Sequence, residues 1–309
     1  MPSDEYAPPG FEAVRSMLPW PSAPPYQPHP QGPLALAAGG PGKYERYDGR
    51  WLVIQELQRL QQERAGRSSR VLLIEAGVFL GGSLERWLVG TPDVYVVGID
   101  LFTNVTDWVD RLTMSDQRLA PFRSLLPQLA VEDGSLLAVQ SNLWRFRERT
   151  ALKRGSSPQA LLELNRLGLR PDVVFLDNDK SMHDLWVAHA LWPHAVLAGD
   201  DWGHQSFFEQ RSPVGGRPDV KKARFNVTND AAVNVCAFAQ KMGVWVSARS
   251  LTWVLHKLPV PAGLKDACAP HQSSLRDGGS RASGDAAWTK ARRRRAGGHG
   301  GRRHRQSGN

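Results

Sequence analysis

Carboxylates follow two short apolar runs in the middle of the chain. Asp177 comes directly after the run 173–176, and Asp200 and Asp201 come shortly after the run 195–198. Because the carboxyl ends of neighbouring parallel strands meet at one edge of a sheet, we expect these acids to lie close together. Mg²⁺ prefers such oxygen ligands and keeps positions for water and substrate oxygens. The sequence therefore predicts a magnesium site on these three residues; the alternative is that they are solvated turn residues or helix caps.

A glycine-rich turn lies earlier in the chain, in the stretch IEAGVFLGGSLERWL. Gly77 and Gly81 allow a tight turn that a ligand can approach closely. The spacing differs from the G-x-G-x-x-G of dinucleotide-binding turns, and Glu75 would repel a phosphate but attract a cation or hydroxyl groups. Asp100 ends the next apolar run, where an acid can accept hydrogen bonds from ribose hydroxyls. The two features predict a nucleoside site; the alternative is a loop without a ligand.

Helix and strand patterns alternate around these residues. Apolar runs that predict strands are RVLLIEAG, DVYVVGID, the weaker SLLAVQS, PDVVFLD and HAVLAGD, with VWVSAR and LTWVLHKL closing the series. Helical patterns separate them, among them DGRWLVIQELQRLQQERAG, SLERWLVG, SPQALLELNRLGL, SMHDLWVAHALW and NDAAVNVCAFAQKMG. Apolar strands separated by helices indicate a mostly parallel sheet that is covered on both faces. We predict an α/β, Rossmann-like fold with a seven-stranded, mostly parallel sheet and helices on both faces.

Four of these stretches, IEAGVFLGGSL, VYVVGID, DVVFLDNDK and LAGDDW, together resemble class I S-adenosylmethionine-dependent methyltransferases. The resemblance is greatest to the cation-dependent O-methyltransferases of the catechol and caffeoyl-CoA type, whose first motif commonly reads E-x-G-x-x-x-G-x-S. Glu75, Gly77, Gly81 and Ser83 match that motif. The closing helix and hairpin are similar to those of related sugar and small-molecule methyltransferases. The resemblance covers about residues 50 to 257 and implies methyl transfer to a hydroxyl of a small molecule or sugar.

The resemblance also implies roles for single residues. Asp177, Asp200 and Asp201 match the family's metal ligands, although the last position commonly holds Asn. Lys180 matches the family's proposed general base, and His204 is the alternative base, because related sugar methyltransferases use a histidine. Bound Mg²⁺ would lower the pKa of the acceptor hydroxyl while the base takes its proton. The predicted cofactor is S-adenosylmethionine, held by Glu75, Gly77, Gly81, Ser83, Asp100, Ser141 and Asp177.

Aromatic and polar side chains near this edge are further candidates for ligand contacts. Trp202, beside the acids, is the tryptophan that we expect to pack on the adenine or on an aromatic acceptor. Ser141 and Asn142 follow the weaker predicted third strand, from which they would reach the adenine.

Composition divides the chain into three parts. Residues 1–42 hold 11 of the 22 prolines and predict a disordered or loosely docked leader. The methyltransferase domain is expected at 43–258, and 259–309 are expected to form a disordered tail. Of the net charge of +9, eight positive charges lie beyond residue 289, which leaves +1 for the rest. We therefore expect weak polyanion binding by the tail and no specific nucleic-acid recognition.

The expected surroundings of the protein follow from its cysteines and its apolar runs. With only two cysteines, the chain lacks a disulfide framework, and this favours a reducing compartment. No apolar run reaches the roughly 18 residues of a membrane span, and no secretory signal is recognisable. We predict a cytoplasmic location, no membrane partner and, from the resemblance, a homo-oligomer.

Two alternatives stay open. One is a methyltransferase of the same fold that works without a metal, through Lys180 or His204 alone. The other is a non-catalytic protein that binds a nucleoside and engages nucleic acid through its tail.

Overall fold

The computed structural model describes residues 7–26, 49–64, 70–115, 123–178, 182–202, 231–257, 259 and 265–269. The helices are α1 (Phe11–Arg15), α2 (Trp51–Glu63), α3 (Gly82–Gly90), α4 (Thr106–Ser115), α5 (Leu126–Leu129), α6 (Gly134–Asn142), a 3₁₀ helix (Trp144–Arg149), α7 (Gln159–Arg166), α8 (Met182–Leu191) and α9 (Ala231–Met242). The strands are β1 (Val71–Ala76), β2 (Val94–Asp100), β3 (Thr150–Arg154), β4 (Val173–Leu176), β5 (Val196–Gly199), β6 (Trp245–Arg249) and β7 (Thr252–His256).

Within these ranges the strands form one seven-stranded sheet in the order β3-β2-β1-β4-β5-β7-β6. The first five are parallel, whereas β7 runs antiparallel to both β5 and β6. Every residue of β1 and β4 is buried. Since alternate side chains of a strand point to opposite faces, both faces of the sheet centre are covered. The predicted Rossmann-like, mostly parallel sheet is confirmed.

The predicted third strand is wrong. SLLAVQS lies in helix α6, and the true β3 is TALKR at Thr150–Arg154. The predicted strand SLLAVQS holds two leucines, one alanine and one glutamine, which favour a helix, and one β-branched residue. β3 is an edge strand that ends in Lys153 and Arg154, so it lacks the apolar run of a central strand.

Residues 7–26 of the predicted leader are docked on the domain and not disordered. Phe11 of α1 is fully buried, and its ring meets the edge of the Tyr95 ring with 5.0 Å between centroids. Trp20 donates a hydrogen bond of 3.1 Å from Nε1 to the carbonyl oxygen of Thr150 on β3. The proline count concealed these few large apolar side chains, which cover the edge strand.

The chain divides into two compact units, residues 1–267 and 268–309, and every element above lies in the first. Most of the basic tail lies outside the described residues, so its polyanion binding stays a prediction, as does the homo-oligomer. Cys236 and Cys268 are both disulfide-bonded. Because disulfides are rare in reducing compartments, the inference of a cytoplasmic location from the cysteine count loses its support. No helix in the described part of the chain is long and apolar enough to cross a membrane.

Candidate functional site

The acids that the sequence predicted at one edge of the sheet do lie together. Asp177 follows β4 and Asp200 follows β5, and these two strands pair in parallel with Leu176 opposite Gly199. β4 also pairs with β1, whose last residue but one is Glu75. The sheet order reverses direction between β1 and β4, the place where ligands bind in open α/β sheets.

Two cavities open at this edge. The first, which we call the acidic cavity, has a volume of about 410 Å³ and is lined among others by Arg50, Ser83, Asp177, Asp200 and Asp201. The second, the β2–β3 cavity, has about 350 Å³ and lies beyond the ends of β1, β2 and β3. Gly77 and Asp100 line both cavities. The two cavities are therefore adjacent halves of one cleft.

Gly77 is required where the two cavities meet. Its φ is +97°, a left-handed conformation that other residues rarely adopt. A Cβ atom on Gly77 would also lie 2.4 Å from the carbonyl oxygen of Asp177. The glycine thus lets the turn after β1 lie directly against the end of β4.

Asp100 organises the loops on both sides of the cleft. Its Oδ2 accepts hydrogen bonds of 2.9 Å from the backbone amides of Val78 and Phe79, and its Oδ1 accepts one of 2.8 Å from Phe102. Phe79 and Phe102 have φ values of 52° and 50°, which are strained for non-glycine residues. The hydrogen bonds to the Asp100 carboxylate stabilise these two strained backbone conformations. Oδ2 already accepts two bonds, so Oδ1 has the greater capacity left for a ligand hydroxyl.

A partly buried arginine that no sequence pattern indicated lies between the acids. The Arg50 Nη2 is 3.0 Å from Asp200 Oδ2 and 3.3 Å from Asp177 Oδ2. Its Nε donates a hydrogen bond of 2.9 Å to Ser83 Oγ, and its guanidinium lies 5.9 Å from the centroid of the Phe175 ring. Burial alone would lower the pKa of Arg50, but the charges of Asp200 and Asp177 raise it above its ordinary value. The guanidinium is a fixed positive charge in the cavity wall.

Gly49 explains how Arg50 reaches this position. A Cβ atom on Gly49 would lie 1.8 Å from the carbonyl oxygen of Arg249, so only glycine allows the chain to approach the β6–β7 hairpin so closely. Arg50 follows immediately and is the N-cap residue of α2.

A chain of polar contacts also ties α2 to the hairpin. Glu56 of α2 lies 3.3 Å from His256 Nδ1, and His256 Nε2 lies 2.7 Å from Ser247 Oγ. Burial alone would raise the pKa of Glu56, but its hydrogen bonds with His256 and Arg59 lower it. These contacts fix the helix whose N-cap residue, Arg50, meets the acids.

Glu75 is buried behind the acidic cavity. It is 1% exposed, and its Oε2 accepts a hydrogen bond of 2.6 Å from Trp87 Nε1. Burial and then the charge of Asp177 raise its pKa to about 8, against the hydrogen bond from Trp87 and the charge of Arg50. Glu75 is therefore mostly protonated at neutral pH. Because it lines neither cavity, its placement does not support the prediction that it binds the cofactor directly.

We expect Glu75→Gln to stabilise the protein at neutral pH. Since the pKa rises from 4.5 to about 8 on folding, the folded state keeps a proton that the unfolded chain releases. This costs nothing below pH 4.5, grows as the pH rises towards 8, and reaches about 3 kcal/mol at pH 7. Gln resembles the protonated acid and removes the cost. Urea unfolding at several pH values checks this, with the exposed Glu132→Gln as control; an unchanged pH slope in Glu75→Gln would contradict it.

The three acids predicted to bind Mg²⁺ do not form a metal site in this structure. Among the described residues, no group of three or more His, Cys, Asp or Glu side chains is arranged to hold a metal ion. Asp177 and Asp200 instead share the Nη2 of Arg50. Asp201 lines the same cavity with a φ of 62°. The physical reason for the misfit is that a positively charged side chain already lies between two of the proposed ligands.

Several buried polar atoms at the cavity walls lack a hydrogen-bond partner within the described ranges. Asp200 Oδ1 and Ser135 Oγ belong to residues that line the acidic cavity, and Asn178 Oδ1 belongs to one that lines the β2–β3 cavity. Native structures satisfy nearly all such atoms. At the walls of the cleft, such atoms are available to form hydrogen bonds with a polar ligand.

An aromatic pair forms part of the wall of the acidic cavity. The rings of Phe79 and Trp108 meet edge to face with centroids 4.3 Å apart, and 45% of Trp108 is exposed. Trp202, the tryptophan that the sequence favoured, lines neither cavity. Its backbone amide donates to the carbonyl oxygen of Leu251 at 2.7 Å. Trp108 lies well before the acids in the chain, so proximity in sequence favoured Trp202 over it.

The remaining predicted site residues have different outcomes. Ser83 lines the acidic cavity and accepts the hydrogen bond from Arg50, and Gly81, with a φ of 85°, is the N-cap of α3. Ser141 is buried in α6, where its hydroxyl donates to the carbonyl oxygen of Leu137 and accepts from the amide of Tyr26. Since Ser141 lines neither cavity, its placement gives no support to contact with the adenine. Lys180 and His204, the predicted bases, lie outside the described residues.

Comparison with known proteins gives matches among solved structures alone. No family model matches the chain, and no curated protein matches it. An O-methyltransferase from Bacillus cereus in complex with SAH (S-adenosylhomocysteine) is 15% identical, with 83% of this chain and 93% of that chain covered and a TM-score of 0.38. A SAM-dependent methyltransferase from Aquifex aeolicus is 12% identical, with 70% and 91% covered and a TM-score of 0.35.

A third solved structure contains a metal. The MycE methyltransferase from the mycinamycin biosynthetic pathway, in complex with Mg, SAH and mycinamycin VI, is 14% identical. The match covers 78% of this chain and 57% of that one, with a TM-score of 0.39. At such low identities and TM-scores, the similarities carry no conclusion about activity, which depends on the chain's own residues.

Proposed function

We propose that the protein is an S-adenosylmethionine-dependent methyltransferase that methylates a hydroxyl group of a small molecule or sugar. The observation that carries the proposal is the two-part cleft at the point where the sheet order reverses, with Gly77 and Asp100 shared by both parts. One part suits a nucleoside and the other suits a cationic group together with an acceptor.

The β2–β3 cavity provides complementary groups for adenosine. Asp100 Oδ1 can accept a hydrogen bond from a ribose hydroxyl. Leu101, directly after β2, is 52% exposed and lines the cavity, so it offers an apolar surface to the adenine. Gly155, Ser156 and Ser157, which follow the true β3, line the same cavity. The sequence prediction missed them because it located the third strand in α6.

The acidic cavity suits the sulfonium. Among the described residues that line it, four are acids, Asp100, Asp177, Asp200 and Asp201, and one, Arg50, is basic. A site with excess negative charge attracts a cation and repels phosphate groups. This favours S-adenosylmethionine over nucleotides, whose phosphates would meet the same carboxylates.

The reaction is an in-line displacement. The acceptor oxygen forms a bond to the methyl carbon while the carbon–sulfur bond breaks, and the electron pair of that bond stays on sulfur, which becomes a neutral thioether. The hydroxyl proton passes to a base, for which Lys180 and His204 stay the proposed residues. Alignment of the oxygen with the methyl group removes much of the barrier. Phe79 and Trp108 give the acceptor an aromatic wall that fits an aromatic ring or the apolar face of a sugar.

Mg²⁺ does not fit the residues present, because Arg50 lies between Asp177 and Asp200. No step of the proposed reaction depends on it.

We expect SAH to bind and ATP not to bind in calorimetric titrations. Leu101→Glu should weaken SAH binding by about tenfold or more, because the new carboxylate loses water and an apolar contact is removed at the adenine face. Val89→Glu is the matched control, since Val89 is 58% exposed and lines neither cavity. Equal affinity of both variants for SAH would contradict the proposed adenosine site. SAH binding without methyl transfer to any hydroxylated acceptor would favour the non-catalytic alternative.

A further inference from the structure

We propose that Arg50 takes the place of the divalent cation in the acidic cavity, so that the site neither binds nor requires Mg²⁺. The role of Arg50 in catalysis rests on the proposed function. Metal binding can be measured without any assumption about catalysis, so the inference and the proposed function can fail separately.

The position of the guanidinium carries this inference. Arg50 Nη2 lies 3.0 Å from Asp200 Oδ2 and 3.3 Å from Asp177 Oδ2, so one NH₂ group joins the acids that follow β4 and β5. Mg²⁺ would have to approach oxygens of the same two carboxylates to about 2.0 to 2.1 Å. It would then share the carboxylates with a positive charge at hydrogen-bond distance, and the two cations would repel each other.

Arg50 is held too firmly to make room for a metal. Its side chain is 12% exposed, its Nε donates to Ser83 Oγ at 2.9 Å, and the adjacent Gly49 lies against Arg249. Ordering a long side chain costs conformational entropy, and here the backbone contact and the hydrogen bonds have already fixed it. Moving it out would leave a guanidinium without these partners.

The acids are nevertheless complementary to a cation. Asp200 is 7% exposed, lines the cavity, and its Oδ1 has no hydrogen-bond partner among the described residues. Such a buried carboxylate oxygen is costly unless something positive or a donor meets it. We therefore infer that removal of the guanidinium alone would open a divalent-cation site on Asp177 and Asp200.

A site with Arg50 differs in its chemistry from the predicted magnesium site. A metal ion would activate the acceptor hydroxyl as a Lewis acid. A guanidinium cannot coordinate that oxygen; it is a charge that orients Asp177 and Asp200 and offers N–H donors. Arg50 is thus a positioning residue for the two acids, and removal of the hydroxyl proton depends on a protein base alone.

The experiment is a titration of metal-free protein with Mn²⁺, followed by electron paramagnetic resonance. Wild type should show no stoichiometric binding. Arg50→Met should bind one Mn²⁺ at least about tenfold more tightly than wild type, since it frees two carboxylates from a competing cation. Arg50→Met/Asp200→Asn should lose that binding. Arg64→Met is the matched control: Arg64 follows the other end of α2 and pairs with the buried Asp172, and it should behave as wild type does.

Two results would overturn the inference. Wild type that binds one Mn²⁺, with loss of binding in Asp200→Asn, would mean that a metal displaces Arg50. A folded Arg50→Met that binds no Mn²⁺ would mean that the acids are not a cation site at all. Where Arg50→Met does not fold, wild type and Asp200→Asn alone decide between the first result and the inference. If the Mn²⁺ results are as expected but the protein does not bind SAH, only the proposed function is refuted.

Discussion

Asp100→Ala is expected to abolish SAH binding and to destabilise the protein by on the order of 3 kcal/mol. The Asp100 carboxylate accepts three backbone hydrogen bonds, and its removal leaves the amides of Val78, Phe79 and Phe102 without that acceptor. Hydrogen bonds to a charged group contribute about 1.5 to 3 kcal/mol each, and part of this is recovered from water because Asp100 is half-buried. The strained conformations of Phe79 and Phe102 would then relax, and both cavities would lose their common wall.

Urea unfolding and calorimetric titration with SAH measure the two effects. Asp100→Asn should lie between wild type and Asp100→Ala, because its amide nitrogen cannot accept a hydrogen bond and must face at least one of the amides. Asp107→Ala, an exposed acid in the first turn of α4, should change neither quantity. If Asp100→Ala bound SAH with the affinity of wild type, the Asp100 carboxylate would not contribute to ligand binding.

Arg50→Met is expected to lower the free energy of unfolding by about 3 to 5 kcal/mol at pH 7, the usual cost of leaving buried charges without their partner. The Asp177 and Asp200 side chains are 22% and 10% exposed, so water compensates the loss only partly. The two carboxylates would also repel each other without the guanidinium between them. Urea unfolding of wild type and variant measures this change.

A second substitution makes the cause identifiable. Asp200→Asn in the Arg50→Met background should recover a large part of the lost stability, whereas Asp200→Asn alone should destabilise wild type. In a double-mutant cycle the two changes should therefore be strongly non-additive. Additive effects would mean that Arg50 stabilises the protein through packing on Phe175 and not through the acids.

The centre of the fold was predictable because burial leaves a strong mark on sequence. β1 and β4 are buried throughout, and their apolar runs are short and end in glycine or acids. β3 was not predictable by the same reasoning, since an edge strand that ends in Lys153 and Arg154 shows no apolar run. The α6 stretch is apolar because it too is buried, and apolarity alone does not separate a buried helix from a buried strand.

The sequence allowed prediction of the acids of the candidate site but not of its arginine. Asp177 and Asp200 end strands of one sheet, so the order of elements was enough to bring them together. Arg50 stands 127 and 150 residues from these two partners, and a single arginine before a helix has no signature. Its place depends on Gly49 meeting the β6–β7 hairpin, a tertiary contact that no local pattern encodes.

The most direct test of the proposed methyltransferase site is a calorimetric titration of the wild-type protein with SAH, once in Mg²⁺ and once in chelator. We expect one SAH to bind with the same affinity in both buffers, because the cleft supplies the nucleoside contacts and Arg50 supplies the cation. A lower affinity for SAH in chelator would mean that a metal ion takes part in the site, and this would contradict the role of Arg50. No SAH binding in either buffer would contradict the methyltransferase proposal itself.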